Sequence, residues 1–234
     1  CTIGVMFVLL AALLAQDLPL ERDPWDGIAV GSWVKIKTTR PAATEEVKRT
    51  LTEIGSDYKR IQSDPPVPAT DDDDGTMIRF QRFSLAFPGA AMKAKTRAIE
   101  TLAGGIKARL IEYRPEGEDD GAVRWRVWYS EQVVGGIAKV SGQGDQGDTR
   151  EKWEQEMKGA EKLTIAGKPV SCTRFDISRM AKKDDRTELT YWLSADVPGQ
   201  LVKSRTKITS GKVTSEVVAE VVGDNGRDRV EEDD

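Results

Sequence analysis

A thirteen-residue segment occurs twice in the chain, and this repeat limits the folds that the chain can adopt. Residues 128–140 read WYSEQVVGGIAKV, and residues 192–204 read WLSADVPGQLVKS. In each copy a strand-like run ends in Trp-x-Ser, a short turn follows, and a second run returns with a lysine. Duplicated units of this kind are typical of a sheet in which each unit needs its neighbour to bury one face. The predicted internal repeats span about 97–141 and 159–209.

The turn in each copy has the residues that a tight reversal of the chain needs. Pro198 presets φ at the first central position, and Gly199 permits positive φ at the second, as a type II turn requires. The first copy has Val134 and Gly135 at these positions. We therefore interpret the shared residues as a structural turn motif, which comprises Ser130, Gly135, Gly136, Lys139, Ser194, Pro198, Gly199 and Lys203.

Each copy also has a tryptophan two residues before the serine, Trp128 in the first and Trp192 in the second. As a functional pair, these side chains could line the mouth of a groove and bind a ligand. As a structural pair, they would cap the core beside the turn. Two identical sites on one chain are uncommon, so the repetition favours the structural interpretation and leaves ligand binding as the alternative.

Val, Ile, Thr, Trp and Tyr are concentrated in short alternating runs, as in residues 31–39, 123–130, 188–194 and 213–222. Alternation of this kind predicts half-buried strands. Turns that contain glycine or proline separate the runs at intervals that suit hairpins, and short connections join antiparallel neighbours. The sequence therefore predicts a mainly β fold, an antiparallel meander of about ten to twelve strands that forms a curved sheet or half-barrel.

Residues 149–163 (TREKWEQEMKGAEKL) permit two interpretations of their secondary structure. Trp153, Met157 and Ala160 have the spacing of one face of a helix, whereas Trp153, Gln155 and Met157 alternate as they would in a strand. The position of this segment within the repeat favours the strand.

The chain is predicted to form a single β domain over residues 30–223, preceded by a linker at 16–29. Prolines followed by an acidic run interrupt the domain at 63–76 (SDPPVPATDDDDGT), where we expect a mobile loop. The acidic residues 224–234 are expected to be a disordered tail.

The first fifteen residues have the character of a signal peptide. Residues 3–15 (IGVMFVLLAALLA) are apolar or small, and this run suits the core of a signal peptide but is too short to cross a bilayer. Ala15 before Gln16 would suit cleavage. A buried strand or helix and lipidation of Cys1 are the alternatives. A signal peptide over 1–15 implies export to the periplasm or the extracellular space, without a transmembrane segment.

The absence of histidine excludes several classes of active site. Without an imidazole the chain cannot build a Ser-His-Asp triad, a Cys-His pair or a histidine-ligated metal site. No catalytic residue, metal or cofactor is therefore predicted. A hydrolase that uses carboxylates alone remains the catalytic alternative, and it would need two facing acids with raised pKa values.

Cys172 would be the only cysteine left after removal of residues 1–15, so no intrachain disulfide is predicted. An alignment of residues 166–175 with 104–113 places Cys172 opposite Leu110. A free cysteine commonly packs as a small apolar side chain, and this interpretation is favoured over a reactive thiol.

The charge of the chain does not suit a nucleic-acid partner. The chain has 35 basic and 39 acidic residues, for a net charge of -4. Residues 224–234 contain six acids and two arginines, which also sum to -4, so the rest of the chain is neutral. A neutral body without a basic stripe gains little from releasing the counterions of phosphates.

Three patterns carry a resemblance to known proteins. They are G-S-W-V-K-x-x-T near residue 31, E-x-L-x-x-x-G-K-x-x-x-C ending at Cys172, and the W-x-S-x-x-V-P-G-x-x-x-K hairpin. Over about residues 30–222 they resemble a group of uncharacterised exported bacterial β-rich proteins. The strand order more distantly resembles the half-barrel of lipoprotein carriers of the LolA and LolB kind. That resemblance implies a concave sheet face able to hold an acyl chain or an apolar peptide, although this chain has no clear amphipathic helix to plug the face.

These observations together predict a non-catalytic binding protein of the cell envelope. Its expected ligand is a lipid or another apolar molecule on a concave sheet face. A protein partner in the envelope and a purely structural role are the alternatives. A dry concave face lined by apolar side chains would favour ligand binding.

Overall fold

The computed structural model of the protein describes residues 20–56, 58–66, 77–78, 92–115, 125–146, 149–182 and 185–225. Within these ranges almost all regular structure is β-strand, and one 3-10 turn lies at Ala103–Gly105. The strands are β1 (Trp33–Arg40), β2 (Ala43–Ile54), β3 (Lys59–Asp64), β4 (Met77–Ile78), β5 (Met92–Thr101), β6 (Lys107–Pro115), β7 (Trp125–Tyr129), β8 (Ile137–Gln146), β9 (Thr149–Ile165), β10 (Lys168–Lys182), β11 (Asp185–Leu193), β12 (Leu201–Ser210) and β13 (Val213–Asp224).

All thirteen described strands belong to one antiparallel sheet in the order β4-β3-β2-β1-β13-β12-β11-β10-β9-β8-β7-β6-β5. Neighbours in the sheet are neighbours in the chain everywhere except at β1, which pairs with β13. The predicted antiparallel meander is confirmed. The structure has thirteen described strands, one more than the predicted upper limit of twelve. The additional strand is β4, which has only two residues.

The strand order requires the sheet to curve. β4 and β5 lie at opposite edges, yet the chain passes from Ile78 to Met92 between them. Thirteen strands at a spacing of about 4.8 Å would make a flat sheet about 58 Å wide. Fourteen residues of chain reach at most about 50 Å. The two edges are therefore closer than a flat sheet allows, while β4 and β5 do not pair and the sheet stays open.

Side-chain alternation divides the sheet into two unlike faces. We call the face that carries Trp153, Phe175 and Tyr191 the inner face, because these side chains are buried. Phe175 stacks on Tyr191 at 4.9 Å between ring centroids. The outer face carries charged side chains at the intervening positions, such as Glu154 and Arg186. The inner-face core comprises Tyr113, Trp125, Val127, Val140, Trp153, Phe175, Ile177, Tyr191 and Leu193.

Residues 149–163 form most of β9, so the strand interpretation is correct. Trp153 and Gln155 are buried, and the intervening Glu154 is exposed. The alternation shifts at a bulge beside Gly159, whose φ is +129°. The helix-like spacing of the apolar residues in this segment therefore arises by chance in a strand that contains a bulge.

A segment before β1 packs against the sheet, and we call residues 20–32 the strap. Leu20, Trp25 and Ile28 are 4%, 6% and 1% exposed. Leu20 joins the inner-face core, and the other two join a second core with residues of β1, β2, β3 and β13. The described part of the predicted linker, 20–29, thus differs from a free connection because it buries apolar side chains.

The structure also moves two predicted boundaries. β13 extends through Asp224, and the Asn225 side chain accepts a hydrogen bond from the Trp33 amide at 2.7 Å, so the ordered chain continues past residue 223. β3 includes the first two residues of the predicted mobile loop. The predicted signal peptide, the rest of that loop at 67–76 and the tail after Asn225 lie outside the described residues. The described part of the chain has no helix with the length and apolarity needed to span a bilayer.

Candidate functional site

The two Trp-x-Ser turns have matching backbone hydrogen bonds. The Ser130 amide donates to the Gly136 carbonyl at 2.9 Å, and the Ser194 amide donates to the Gln200 carbonyl at 2.8 Å. Each serine hydroxyl accepts a hydrogen bond from the amide two residues later, at 3.3 and 3.2 Å respectively. The two loops therefore share one conformation although most of their residues differ.

Both loops hold the strap through a glycine. Gly135 and Gly199 have φ values of +81° and +75°, which favour glycine. A Cβ atom on Gly135 would lie 2.6 Å from the Leu20 side chain, and one on Gly199 would lie 3.2 Å from the Trp25 ring. The Glu21 amide also donates to the Gly135 carbonyl at 2.7 Å. The two copies of the turn thus contact the same strap at two positions, Leu20 and Trp25.

Trp128 and Trp192 lie on the outer face, at positions that alternate with the buried inner-face residues. The Trp128 indole nitrogen donates to Glu100 at 2.6 Å, and the Trp192 indole nitrogen donates to Glu161 at 2.7 Å. Neither ring lines the two grooves described below. The structure therefore gives the tryptophan pair a matched polar contact, and it places the pair away from both grooves.

The two motif lysines make different contacts. The Lys139 ammonium lies 5.1 Å from the centroid of the Trp128 ring. In the second copy the cation beside the tryptophan is Arg174, whose guanidinium carbon lies 5.8 Å from the centroid of the Trp192 ring. Lys203 instead forms an ion pair with Glu220 at 3.5 Å. The lysine thus has the same position in both copies but makes a different contact in each.

Cys172 is buried at 3% exposure, and burial raises the pKa of its thiol. Its sulfur lies 3.5 Å from the Val170 carbonyl. The residue opposite the motif tryptophan is Leu110 in the first copy and Arg174 in the second. Cys172 therefore corresponds to Ala108, not to Leu110 as the sequence alignment suggested, because the β9–β10 turn is shorter than the β5–β6 connection.

A groove of about 1020 Å³ lies between the strap and the inner face of β5, β6 and β7. We call it the strap groove. Its size is at the upper end of the range for small-molecule sites. Its sheet wall combines apolar and cationic side chains, and its strap wall is mainly acidic. The residues used below are Ile99, Lys107, Arg109, Ile111, Tyr113 and Tyr129 on the sheet and Glu21, Asp23 and Asp26 on the strap.

Two tyrosines form the floor of the strap groove. The hydroxyl oxygens of Tyr113 and Tyr129 lie 2.7 Å apart, within one hydrogen bond. Burial raises the pKa of both phenols, and the hydrogen bond to Tyr113 raises that of Tyr129 further. Both rings are therefore neutral at physiological pH. They present an apolar surface with one hydrogen-bonded pair of hydroxyls, and neither is a phenolate nucleophile.

A second groove of about 490 Å³ lies on β9 to β12 and is lined mainly by charged side chains of both signs. Many of these side chains pair with one another. Lys158 pairs with Glu156, and Arg186 lies 2.8 Å from Glu188. Exposed pairs of this kind contribute at most about 1 kcal/mol each and leave little net charge for a ligand. This groove is the weaker candidate.

Glu112 is the carboxylate that an acid–base mechanism would single out, because its side chain is 8% exposed. Arg97 donates to it at 2.7 Å and Arg126 donates at 3.1 Å. The hydrogen bond from Arg97, opposed by burial and assisted by Arg126, lowers the pKa of Glu112. A general acid needs a raised pKa. Glu112 is therefore a structural anion between β5, β6 and β7.

We expect Glu112→Gln to lower the free energy of unfolding by about 1–3 kcal/mol at pH 7, because it leaves arginines facing a neutral amide. The pKa of Glu112 is lower in the folded protein than in the unfolded chain, where it is about 4.3, so its contribution is present above that pH and is lost as the pH falls through the folded-state pKa. Urea unfolding at several pH values measures the difference between wild type and variant. A difference that is the same at about pH 7 and pH 3 would contradict this role.

Glu46→Gln is the matched control for this prediction. Glu46 pairs with Lys35 at 2.6 Å, but both side chains are more than two-fifths exposed. Solvent screens such a pair, so its loss should change stability far less than the loss of Glu112 does. The comparison separates a shielded carboxylate from an exposed one.

The described residues contain no group of three or more cysteines, aspartates or glutamates placed to bind a metal ion. No family model matches the chain, and no curated protein matches it. Among solved structures, the chain aligns with the hypothetical lipoprotein YmcC from Escherichia coli K12 at 12% identity. The alignment covers 95% of this chain and 96% of that one, with a TM-score of 0.31. Nothing about the fold or function of this protein follows from so low a score.

Proposed function

We propose that the protein is a non-catalytic binding protein of the cell envelope and that the strap groove holds a lipid or another apolar ligand. The observation that carries this proposal is the exposed Ile99 side chain in the wall of the groove, beside the half-buried Ile111 and Tyr129. Ile99 is 76% exposed and lies on the inner face beside Ile111 and the tyrosine pair. Water-exposed apolar side chains in a concave site are typical of ligand-binding surfaces.

The ionisation of the reactive residue types also supports a non-catalytic role. Burial raises the pKa of the Cys172 thiol and of the Tyr129 phenol, which disfavours their nucleophilic forms. The pKa of Glu112 is lowered, which disfavours a general acid. Each of these shifts is opposite to the one that catalysis would need.

The second candidate is a protein partner, and the edge strand β5 is the observation that favours it. β5 pairs with β6 and with no other described strand, and its residues 94–99 are exposed. An extended peptide could add to this edge through backbone hydrogen bonds. Such a partner would not require the apolar wall of the groove.

Native mass spectrometry of the protein purified from its own envelope fraction tests the first proposal. A stoichiometric adduct that organic solvent removes supports an apolar ligand. A bare polypeptide mass that persists after incubation with an envelope lipid extract contradicts it. A retained polypeptide of defined mass would instead favour the protein partner.

We expect Ile99→Arg to weaken the binding of an apolar fluorescent probe, such as N-phenyl-1-naphthylamine, by at least about tenfold. Burial of an isoleucine side chain by a ligand is worth about 1.5–3 kcal/mol, and each 1.4 kcal/mol is a factor of ten. Val213→Arg is the matched control, because Val213 is 70% exposed on a strand and lies outside the groove. Equal affinities for the two variants would contradict the assignment of the site.

A further inference from the structure

We infer that the ligand of the strap groove carries an anionic head group, which Lys107 and Arg109 bind while its apolar chain lies along the isoleucine and tyrosine wall. This inference rests on the proposed function and adds the chemical class of the ligand. The head group is defined by its anionic oxygens, which belong to either a carboxylate or a phosphate.

The order of residues along β6 separates a charged end of the groove from an apolar end. Lys107, Arg109, Ile111 and Tyr113 alternate along one face of the strand and all line the groove. Residues two apart on a strand are about 7 Å apart. The two cations therefore precede the two apolar residues in a single row, as the head group and chain of an amphiphile would require.

The neighbouring strands place apolar side chains on both sides of the second cation. Arg109 is paired with Ile99 of β5 on one side and with Tyr129 of β7 on the other. A guanidinium in this position can bind a carboxylate or phosphate through two parallel hydrogen bonds. An anion held there has apolar surface directly beside it.

Within the described part of the chain, Lys107 and Arg109 have no ion-pair partner. The nearby cations of the same sheet differ, since Arg97 and Arg126 both bind Glu112. Lys107 and Arg109 are therefore available to a ligand.

Two of the three acids on the strap wall, Asp23 and Asp26, share one cation. The Lys59 ammonium lies 2.6 Å from a carboxylate oxygen of Asp23 and 3.7 Å from one of Asp26. Lys59 and Asp23 are only 14% and 25% exposed, so the contact between these two side chains is shielded from solvent. Lys59 therefore offsets part of the negative charge of the strap wall that faces Lys107 and Arg109.

The tyrosine pair supplies a further donor. In a hydrogen bond between two hydroxyls, one hydroxyl donates and the other keeps its own hydrogen for another acceptor. Tyr113 and Tyr129 form such a pair, and Tyr129 lies opposite Arg109. One phenol hydrogen can thus complete the binding of an anionic oxygen beside the guanidinium.

The test compares three probes with the same twelve-carbon chain, which are dodecanoate, dodecyl phosphate and dodecanol. Displacement of N-phenyl-1-naphthylamine gives their affinities for the full chain. We expect at least one anion to bind about tenfold more tightly than dodecanol. We expect the double variant Lys107→Gln, Arg109→Gln to lose this preference while its affinity for dodecanol stays unchanged. The anion that shows the preference identifies the head group as carboxylate or phosphate.

The control double variant Lys162→Gln, Lys212→Gln removes the same charge from exposed positions outside the groove. It should keep the preference for the anion. Loss of the preference in the control would attribute it to overall charge and would overturn the inference. Circular dichroism spectra and thermal unfolding of both double variants check that their folds are intact.

The remaining outcomes separate this inference from the proposed function. If all three probes bind with equal affinity and Ile99→Arg weakens them, the groove is an apolar site without an anion subsite, and the inference alone is overturned. If no probe binds and Ile99→Arg has no effect on the fluorescent probe, the proposed function fails and the inference fails with it.

Discussion

Replacing Trp25 with alanine is expected to lower the free energy of unfolding by about 3–5 kcal/mol, as removal of a buried tryptophan commonly does. Trp25 is 6% exposed, lies against Gly199 and belongs to the core that includes Ile28 and Val197. The substitution would leave a cavity between the strap and the second turn. Urea unfolding followed by circular dichroism measures the loss.

Val30→Ala is the matched control within the same segment. Val30 is 56% exposed, so its truncation should change stability by less than about 0.5 kcal/mol. A loss below about 1 kcal/mol for Trp25→Ala would show that the strap is not an integral part of the fold. Faster proteolytic cleavage within residues 20–32 of the folded Trp25→Ala variant would show that the strap has detached.

Replacing Gly135 with alanine is expected to destabilise the protein by about 2–5 kcal/mol. The positive φ of Gly135 disfavours any residue with a Cβ by about 1–2 kcal/mol. The new Cβ would also lie 2.6 Å from the Leu20 side chain, which is itself buried. Overpacking of this kind adds about 1–3 kcal/mol. Thermal and urea unfolding of the variant measure the sum.

Gly167→Ala separates the two contributions. Gly167 has φ +82°, close to that of Gly135, but a Cβ atom there would contact nothing within 4 Å. Gly167→Ala should therefore lower the free energy of unfolding only by the amount that the positive φ imposes on a residue with a Cβ atom. In a Leu20→Ala background the cost of Gly135→Ala should fall toward that of Gly167→Ala, and the 3.3 Å contact with the Leu193 side chain accounts for what remains. If Gly135→Ala and Gly167→Ala lower the free energy of unfolding of the wild-type protein equally, the turn does not hold the strap in place.

The sheet could be predicted because its signals are local. Alternating side chains and glycine turns act over a few residues, and they specify antiparallel neighbours without knowledge of the rest of the chain. The identity of the pair β1–β13 was not predicted, because it joins segments from the two ends of the domain. The strap was read as a linker for the same reason. Leu20 and Trp25 have no periodic pattern, and the turns that bury them are far away in the sequence.

The candidate site was harder to predict than the fold. Trp128 and Trp192 are conspicuous in the sequence because they repeat, yet both lie on the outer face. The strap groove depends on register, which places Ile99 and Tyr129 on either side of Arg109. Register follows from connection lengths and bulges, and these also shift Cys172 by two residues from its expected counterpart. Sequence alternation fixes the face of a residue but not its neighbours across the sheet.

The pairing of β1 with β13 determines when the protein can finish folding. The ribosome releases β1 before β13, and the interval between them is about 9–35 s at about 5–20 residues per second. Through that time the apolar side chains of Val34, Leu51 and Ile61 lack the strand that completes their sheet. The nascent chain therefore stays incompletely folded throughout this interval. Pairing of β13 with β1 ends this period.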